Sequence, residues 1–152
     1  MVEISSSLFT VGVFQNARSA EKGLQALLTQ EFSTETLSLI AKHSLEVEEL
    51  CKSTMGVAAS TIEIYGLGTT CVHGSIVEAL QGTDQLLARR GIGASAKQIG
   101  FQLHDGQIFE RLTARGGVLV AVATDARASD ALTVLLSYGG GNSAISAWLG
   151  RV

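Results

Sequence analysis

The two ends of this 152-residue chain repeat one pattern, and that constrains its fold more than any other feature. Residues 8–14 form an apolar run of strand length, rich in Val and Phe. Asn16 then stands where a helix N-cap would, and Ala17, Ala20, Leu24, Leu27 and Leu28 follow at helical spacing. In residues 35–41, Leu37, Leu39 and Ala41 alternate with Thr36 and Ser38, the period of a half-buried strand. Near the other end, residues 118–123 are wholly apolar and Asp125 occupies the capping position. Ala128, Ala131, Leu132, Leu135 and Leu136 continue as a helical stripe. Gly139, Gly140, Gly141 and Asn142 suit a helix C-terminus, because glycine and asparagine tolerate the left-handed conformation found there. Residues 143–149 complete the second unit as a strand.

The two units overlay residue by residue. Val11 and Val13 match Val120 and Val122, and Asn16-Ala17-Arg18 matches Asp125-Ala126-Arg127. With one residue dropped at Ser19, Ala20, Leu24, Leu27 and Leu28 match Ala128, Leu132, Leu135 and Leu136. Two duplicated strand-helix-strand units sharing one sheet, with helices on one face, make an α+β ferredoxin-like sandwich. The expected organisation is a single domain over residues 1–152. Repeat one covers about 8–41, a glycine-rich helical insert about 44–115, and repeat two about 117–149.

Within the insert, Ser44 to Lys52 reads as a short polar helix or loop with Ser44 as N-cap, and Glu46, Glu48 and Glu49 are spaced like a solvated face. Ala58, Ile62, Gly66, Thr70 and Gly74 fall four apart, so the spacing predicts a helix with one small-residue face. A second helix is expected over about residues 75–90, carrying Ile76, Val77, Leu80, Leu86 and Leu87 and broken by Gly91-Ile92-Gly93. Ser95 to Gln98 fits a capping box. A helix over about 105–115 carries Ile108, Phe109 and Leu112 and hands over to the apolar strand at Gly116-Gly117. Glu63, His73, Glu78, Asp84, Arg89 and Arg90 interrupt every window long enough to cross a bilayer, so no transmembrane span is expected.

Composition narrows the partners. The net charge is −3, and the eleven Lys and Arg are scattered rather than gathered in a stripe. That excludes nucleic acid, whose binding draws on counterion release along a basic surface. Charged residues are only 16% of the chain, against about 25% in ordinary soluble domains, and the mean hydropathy is +0.31. With so little polar side chain to cover its surface, the chain is expected to form a homo-oligomer. The opening MVEISSSLFTVGVF has no basic segment ahead of an apolar core and no small-residue cleavage site. A cytoplasmic protein with Cys51 and Cys71 reduced and buried is the expectation.

The chemistry-bearing residues do not assemble into a motif. His43, His73 and His104 stand apart, and Cys71 with His73 gives only two donors, too few for a tetrahedral metal site. Convergence of Cys51, Cys71, His73 and His43 is the one arrangement that could supply more. Cys71 beside His73 or His104 is the obvious nucleophile pairing, but neither a glycine elbow nor an orienting acid accompanies it. Gly66-Leu67-Gly68-Thr69-Thr70 lacks the lysine of a phosphate loop. The helix starts at Asn16 and Asp125, with Arg18 and Arg127 beside them, read as salt-bridged surface before anion sites. No catalytic residue, metal ligand or cofactor is therefore assigned.

The segment VGVFQNARSAEKGLQALL resembles the first strand and helix of bacterial general-stress proteins of the YflT-like, DUF1269-like kind. IGFQLHDGQIFERLTARGGVLVAVATDARASDALTVLLSYGG resembles their second half, with a glycine-rich insert lying between. The resemblance implies a ferredoxin-like, stress-associated domain and no catalytic residues. The expected function is a non-enzymatic, oligomeric stress-associated or scaffolding protein. The alternative is a small-molecule binding or sensing domain with a pocket between sheet and insert. An enzyme using Cys71, His73 or an insert carboxylate stands last.

Overall fold

A computed structural model describes residues 9–123 and 127–140. Along the chain these form β1 (Phe9–Phe14), α1 (Ala17–Thr29), β2 (Leu37–Lys42), α2 (Leu45–Met55), β3 (Ser60–Ile64) and β4 (Gly68–His73). After them come α3 (Ser75–Gln81), α4 (Leu86–Ala96), α5 (Leu103–Ala114), β5 (Val118–Ala123) and α6 (Ala128–Ser137). Short 3-10 turns at Thr34–Thr36 and Lys97–Ile99 complete the described elements. The fold is α+β, with a five-stranded sheet in the order β1-β5-β2-β4-β3 and every neighbouring pair antiparallel. β1 and β2 both run antiparallel to β5, so they are parallel to each other and α1 crosses between them.

Helices cover both faces of this sheet, where the sequence pattern suggested one. On one side Leu24 and Leu27 of α1, Val47 and Leu50 of α2, and Val134 and Leu135 of α6 pack on Leu37, Leu39, Val120 and Val122. On the other, Ile76 and Leu80 of α3, Leu87 and Ile92 of α4, and Phe109 and Leu112 of α5 pack on Val11, Val13, Ile40 and Leu119. The physical reason lies in β5 and β2. VLVAVA has no polar side to turn to water, and on the second face of β2 both Ser38 and Ile40 are fully buried. Strands that are apolar on both faces need a layer on each.

The second layer comes from residues 44–115, and these are not all helical. Ala58 to Gly74, expected to be helix, contains the β3–β4 hairpin. Its strands are rich in β-branched residues, which favour extended backbone: Thr61, Ile62 and Ile64 in β3, and Thr69, Thr70 and Val72 in β4. Gly66 and Gly68 take the positive φ values of the turn, 88° and 82°. The helix expected over 75–90 divides at Gly82 to Gln85. Gly91 does interrupt α4, with φ 92°. Ser95 caps nothing. It is buried inside α4, and its hydroxyl donates to the Gly91 carbonyl at 2.9 Å.

Close approach of small residues occurs, but between α4 and α5. A Cβ on Gly106 would lie 2.9 Å from the Gly93 carbonyl oxygen. Glu110 of α5 accepts the Gly93 N–H at 2.6 Å, capping the helical turn that restarts after the kink. Glycine inside α1 has a similar reason: the ring of buried Phe14 occupies the space a Gly23 side chain would need.

Several expectations about the units hold. Asn16 caps α1, Ser44 caps α2, and α5 carries Phe109 and Leu112 inward. After α6, Gly139 has φ 92° and the Gly140 N–H reaches back to the Leu135 carbonyl at 2.8 Å. The overlay of repeats meets a register difference. Val11 and Val13 face the α3–α5 layer, whereas Val120 and Val122 face the α1–α2–α6 layer. The expected cap Asp125 and the final strand at 143–149 lie outside the described residues.

Candidate functional site

β1 and β2 end at the same edge of the sheet, and the start of β5 lies between them. Val118 is the register partner of both Phe14 and Ala41. From this edge α1 leaves after Asn16 and α2 leaves after Ser44, both toward the same layer. Asn16 Oδ1 accepts the Ser19 N–H at 2.9 Å, and Ser44 Oγ accepts the Val47 N–H at 3.1 Å. Each side-chain cap satisfies one of the first amides of its helix. The others keep no intrahelical acceptor. Two helix N-termini, with their partial positive charge, therefore open at one place.

A cleft of about 380 Å³ occupies that place, lined by Asn16, Lys42, His43, Ser44, Glu46 and Arg115 among others. Its far wall is the end of α5 and the turn that follows. Gly117 passes so close to α5 and β1 that a Cβ would lie 2.7 Å from the Leu112 carbonyl oxygen and 2.8 Å from a Val13 methyl. This tight turn carries exposed Arg115 to the rim, opposite Lys42, whose Nζ donates to the Ala114 carbonyl at 3.4 Å. Two permanent cations and a histidine thus meet one carboxylate, Glu46, along the lining. A second depression of about 370 Å³ adjoins it on the α1–α2 side, lined by Arg18, Glu21, Glu46 and Glu49 among others.

His43 sits at the rim with its side chain exposed. Its amide donates to the Thr69 carbonyl at 3.0 Å and its Nε2 lies 2.6 Å from Glu48 Oε2. Below it, Cys71 of β4 and Cys51 of α2 lie fully buried in one apolar cluster. Burial pushes the Cys51 thiol above its ordinary range, and neighbouring Cys71 adds to the rise. Burial also pushes up the Cys71 thiol. The Ser44 backbone N–H draws it partly back, and the Glu48 carboxylate raises it again. A thiol kept protonated and out of water is a poor nucleophile.

Of the sequence candidates, Cys51 and Cys71 come together, and His43 lies above them on the Glu48 side. His73 stands farther along β4, paired in register with Leu39 rather than Lys42. His104 is in the first turn of α5, a helix length from the cleft end. Among the described residues no three His, Cys, Asp or Glu side chains are placed to hold a metal ion. No described helix is long and apolar enough to cross a membrane. Arg127 is engaged elsewhere: its guanidinium sits 3.9 Å from the Phe32 ring centroid and its Nε 3.4 Å from Asp130 Oδ2.

Lys42 and Arg115 were not candidates in the sequence, since they lie in different segments and belong to no motif. The available signal was the run Lys42-His43-Ser44, where a basic residue ends a strand and a cap begins a helix. No family model, curated protein or solved structure matches the chain.

Proposed function

We propose that the protein is a non-enzymatic binding domain that holds a small anionic molecule, a phosphate or carboxylate compound, in the cleft between α1, α2 and the end of α5. The observation that carries this reading is the convergence of two helix N-termini with Lys42 and Arg115 on one opening. Unpaired amides and aligned peptide dipoles attract negative charge at such a position, and the two side chains add to that attraction. The cleft borders both the sheet and the former insert segment, so it brings the small-molecule reading ahead of a purely scaffolding one. The stress-associated role implied by the resemblance stays part of the proposal. It rests on the two quoted segments, which fold as β1 with α1 and as α5, β5 and α6.

The test is a melting-temperature screen of the full chain against phosphorylated and polycarboxylate metabolites at low salt, followed by calorimetry on the best ligand. Binding should raise the melting temperature, weaken as ionic strength rises, and fall at least tenfold in the Lys42→Ala and Arg115→Ala variants. If no anion shifts the transition, or if both variants bind as the parent does, the reading is wrong.

A further inference from the structure

Of the residue types on the cleft lining, only histidine changes charge between about pH 5 and pH 8. Lysine, arginine and glutamate side chains hold theirs across that range. Lys42 at the end of β2 and Arg115 after α5 therefore stand against Glu46 on the lining and Glu48 beside His43, two cations against two carboxylates. On the β4 side the Thr69 carbonyl accepts the His43 amide. The Thr69 hydroxyl donates to Glu63 at 2.5 Å, which puts one more negative charge a strand farther out. Cys71 below is kept protonated by burial. The fixed charges around His43 thus cancel or lean negative, and the proton on its ring decides the sign. Its Nε2 lies 2.6 Å from Glu48 Oε2, and a carboxylate only accepts, which assigns a proton to Nε2. Nδ1 has no protein partner among the described residues. In neutral His43 it is a lone pair that repels an anion's oxygen, and in charged His43 it is an N–H that can donate to one.

We propose that anion binding in this cleft is coupled to a proton, taken from solvent, on His43, so that the site fills on mild acidification and empties as pH rises. The inference rests on the anion reading above and adds its regulation. Charging His43 turns a balanced lining net positive and supplies a donor that the neutral ring lacks. Glu48 supports the imidazolium through a charge-assisted hydrogen bond. The coupling is reciprocal: an anion that binds more tightly to charged His43 must also make His43 hold its proton more tightly. The adjoining depression does not share in the switch, because Arg18, Glu21 and Glu49 are of residue types that keep their charges over this range.

Sulfate is the probe, because its own charge does not change over this range. It is titrated into the full chain at constant ionic strength and followed through the histidine ring protons by NMR. The parent should bind sulfate about fivefold more tightly at ~pH 6 than at ~pH 8. Sulfate should move the titration of His43 to higher pH and leave those of His73 and His104, which lie outside the cleft, where they are. His43→Gln can still donate to Glu48 but takes no proton, so it should bind equally at both pH values. His43→Lys is charged at both and should bind at ~pH 8 as the parent does at ~pH 6. The side chain is exposed, and unchanged circular dichroism would confirm that each variant folds. Equal sulfate binding by the parent at both pH values overturns the proton coupling and leaves the anion reading standing. So does a pH dependence that survives in His43→Gln. Failure of both sulfate and phosphate to bind at either pH overturns the two together.

Discussion

Replacing Gly23 by alanine should destabilise the protein, against the ordinary rule for helices. In an exposed helix interior the exchange stabilises by about 1 kcal/mol, because alanine loses less backbone freedom on folding. Here a Cβ would lie 2.5 Å from Phe14 Cζ and 2.9 Å from Cε1, about 1 Å inside normal carbon contact. The ring has little room to retreat. Phe14 is fully buried, and a Cβ on Gly140 would already lie 3.1 Å from the same Cζ. Overpacking of this kind costs about 1–3 kcal/mol, with large clashes at the upper end. The net loss is then about 1–2 kcal/mol, or roughly 2–8 °C in melting temperature for a chain of this size. Urea and thermal denaturation followed by circular dichroism give both numbers. The Phe14→Leu variant supplies the control. It opens space at the ring, so adding Gly23→Ala to it should cost less than in the parent, with a coupling of at least about 0.5 kcal/mol. A Gly23→Ala protein as stable as the parent would refute the packing argument.

Ser38 is fully buried, and its hydroxyl accepts the Ile76 N–H at 3.2 Å where α3 begins. Ser38→Ala should destabilise by about 1–3 kcal/mol in denaturant titration. Gly74→Ala should cost more, since Gly74 has φ 104° and its Cβ would fall 2.6 Å from the Ser38 Cα. Both thiols are raised in the folded chain, so they bind protons more tightly than in the unfolded one. Their contribution to stability is complete below the ordinary thiol range and should fall as pH rises through it toward the folded-state values. The pH dependence of the urea midpoint should lose this alkaline decline in a Cys51→Ala, Cys71→Ala protein. In the native parent at neutral pH, iodoacetamide should label neither cysteine without denaturant.

Local chemistry made β1, α1, the Ser44 cap, α5 and the glycines after α6 readable in advance. Each is set by nearest neighbours: a cap three residues from its amide, or an apolar stripe with the helical period. The hairpin at Ser60 to His73 was misread because small residues happened to recur every fourth position while β-branched residues set the backbone preference. The number of layers was written in VLVAVA, which leaves no polar face, but the apparent repeat drew attention to helices on one side. The repeat itself fails in the pleat. A shift of one residue turns Val11 and Val13 away from the layer that Val120 and Val122 face. The cleft was not legible at all. Lys42 meets the end of α5 only because β2 pairs with β5, a contact spanning 72 residues of sequence.

The place of β5 has a consequence for how the chain is made. β1 and β2 emerge early from the ribosome, yet they never pair with each other, and the strand that separates them begins at Val118. Until that strand arrives, each presents an apolar edge with nothing beside it, and the two ladders of the sheet centre close late over long loops. A nascent chain stalled before Val118 would hold β1, β2 and the β3–β4 hairpin without the piece that unites them. Such an intermediate exposes apolar surface and unpaired strand edges, so the interval before β5 appears is when aggregation is most favoured.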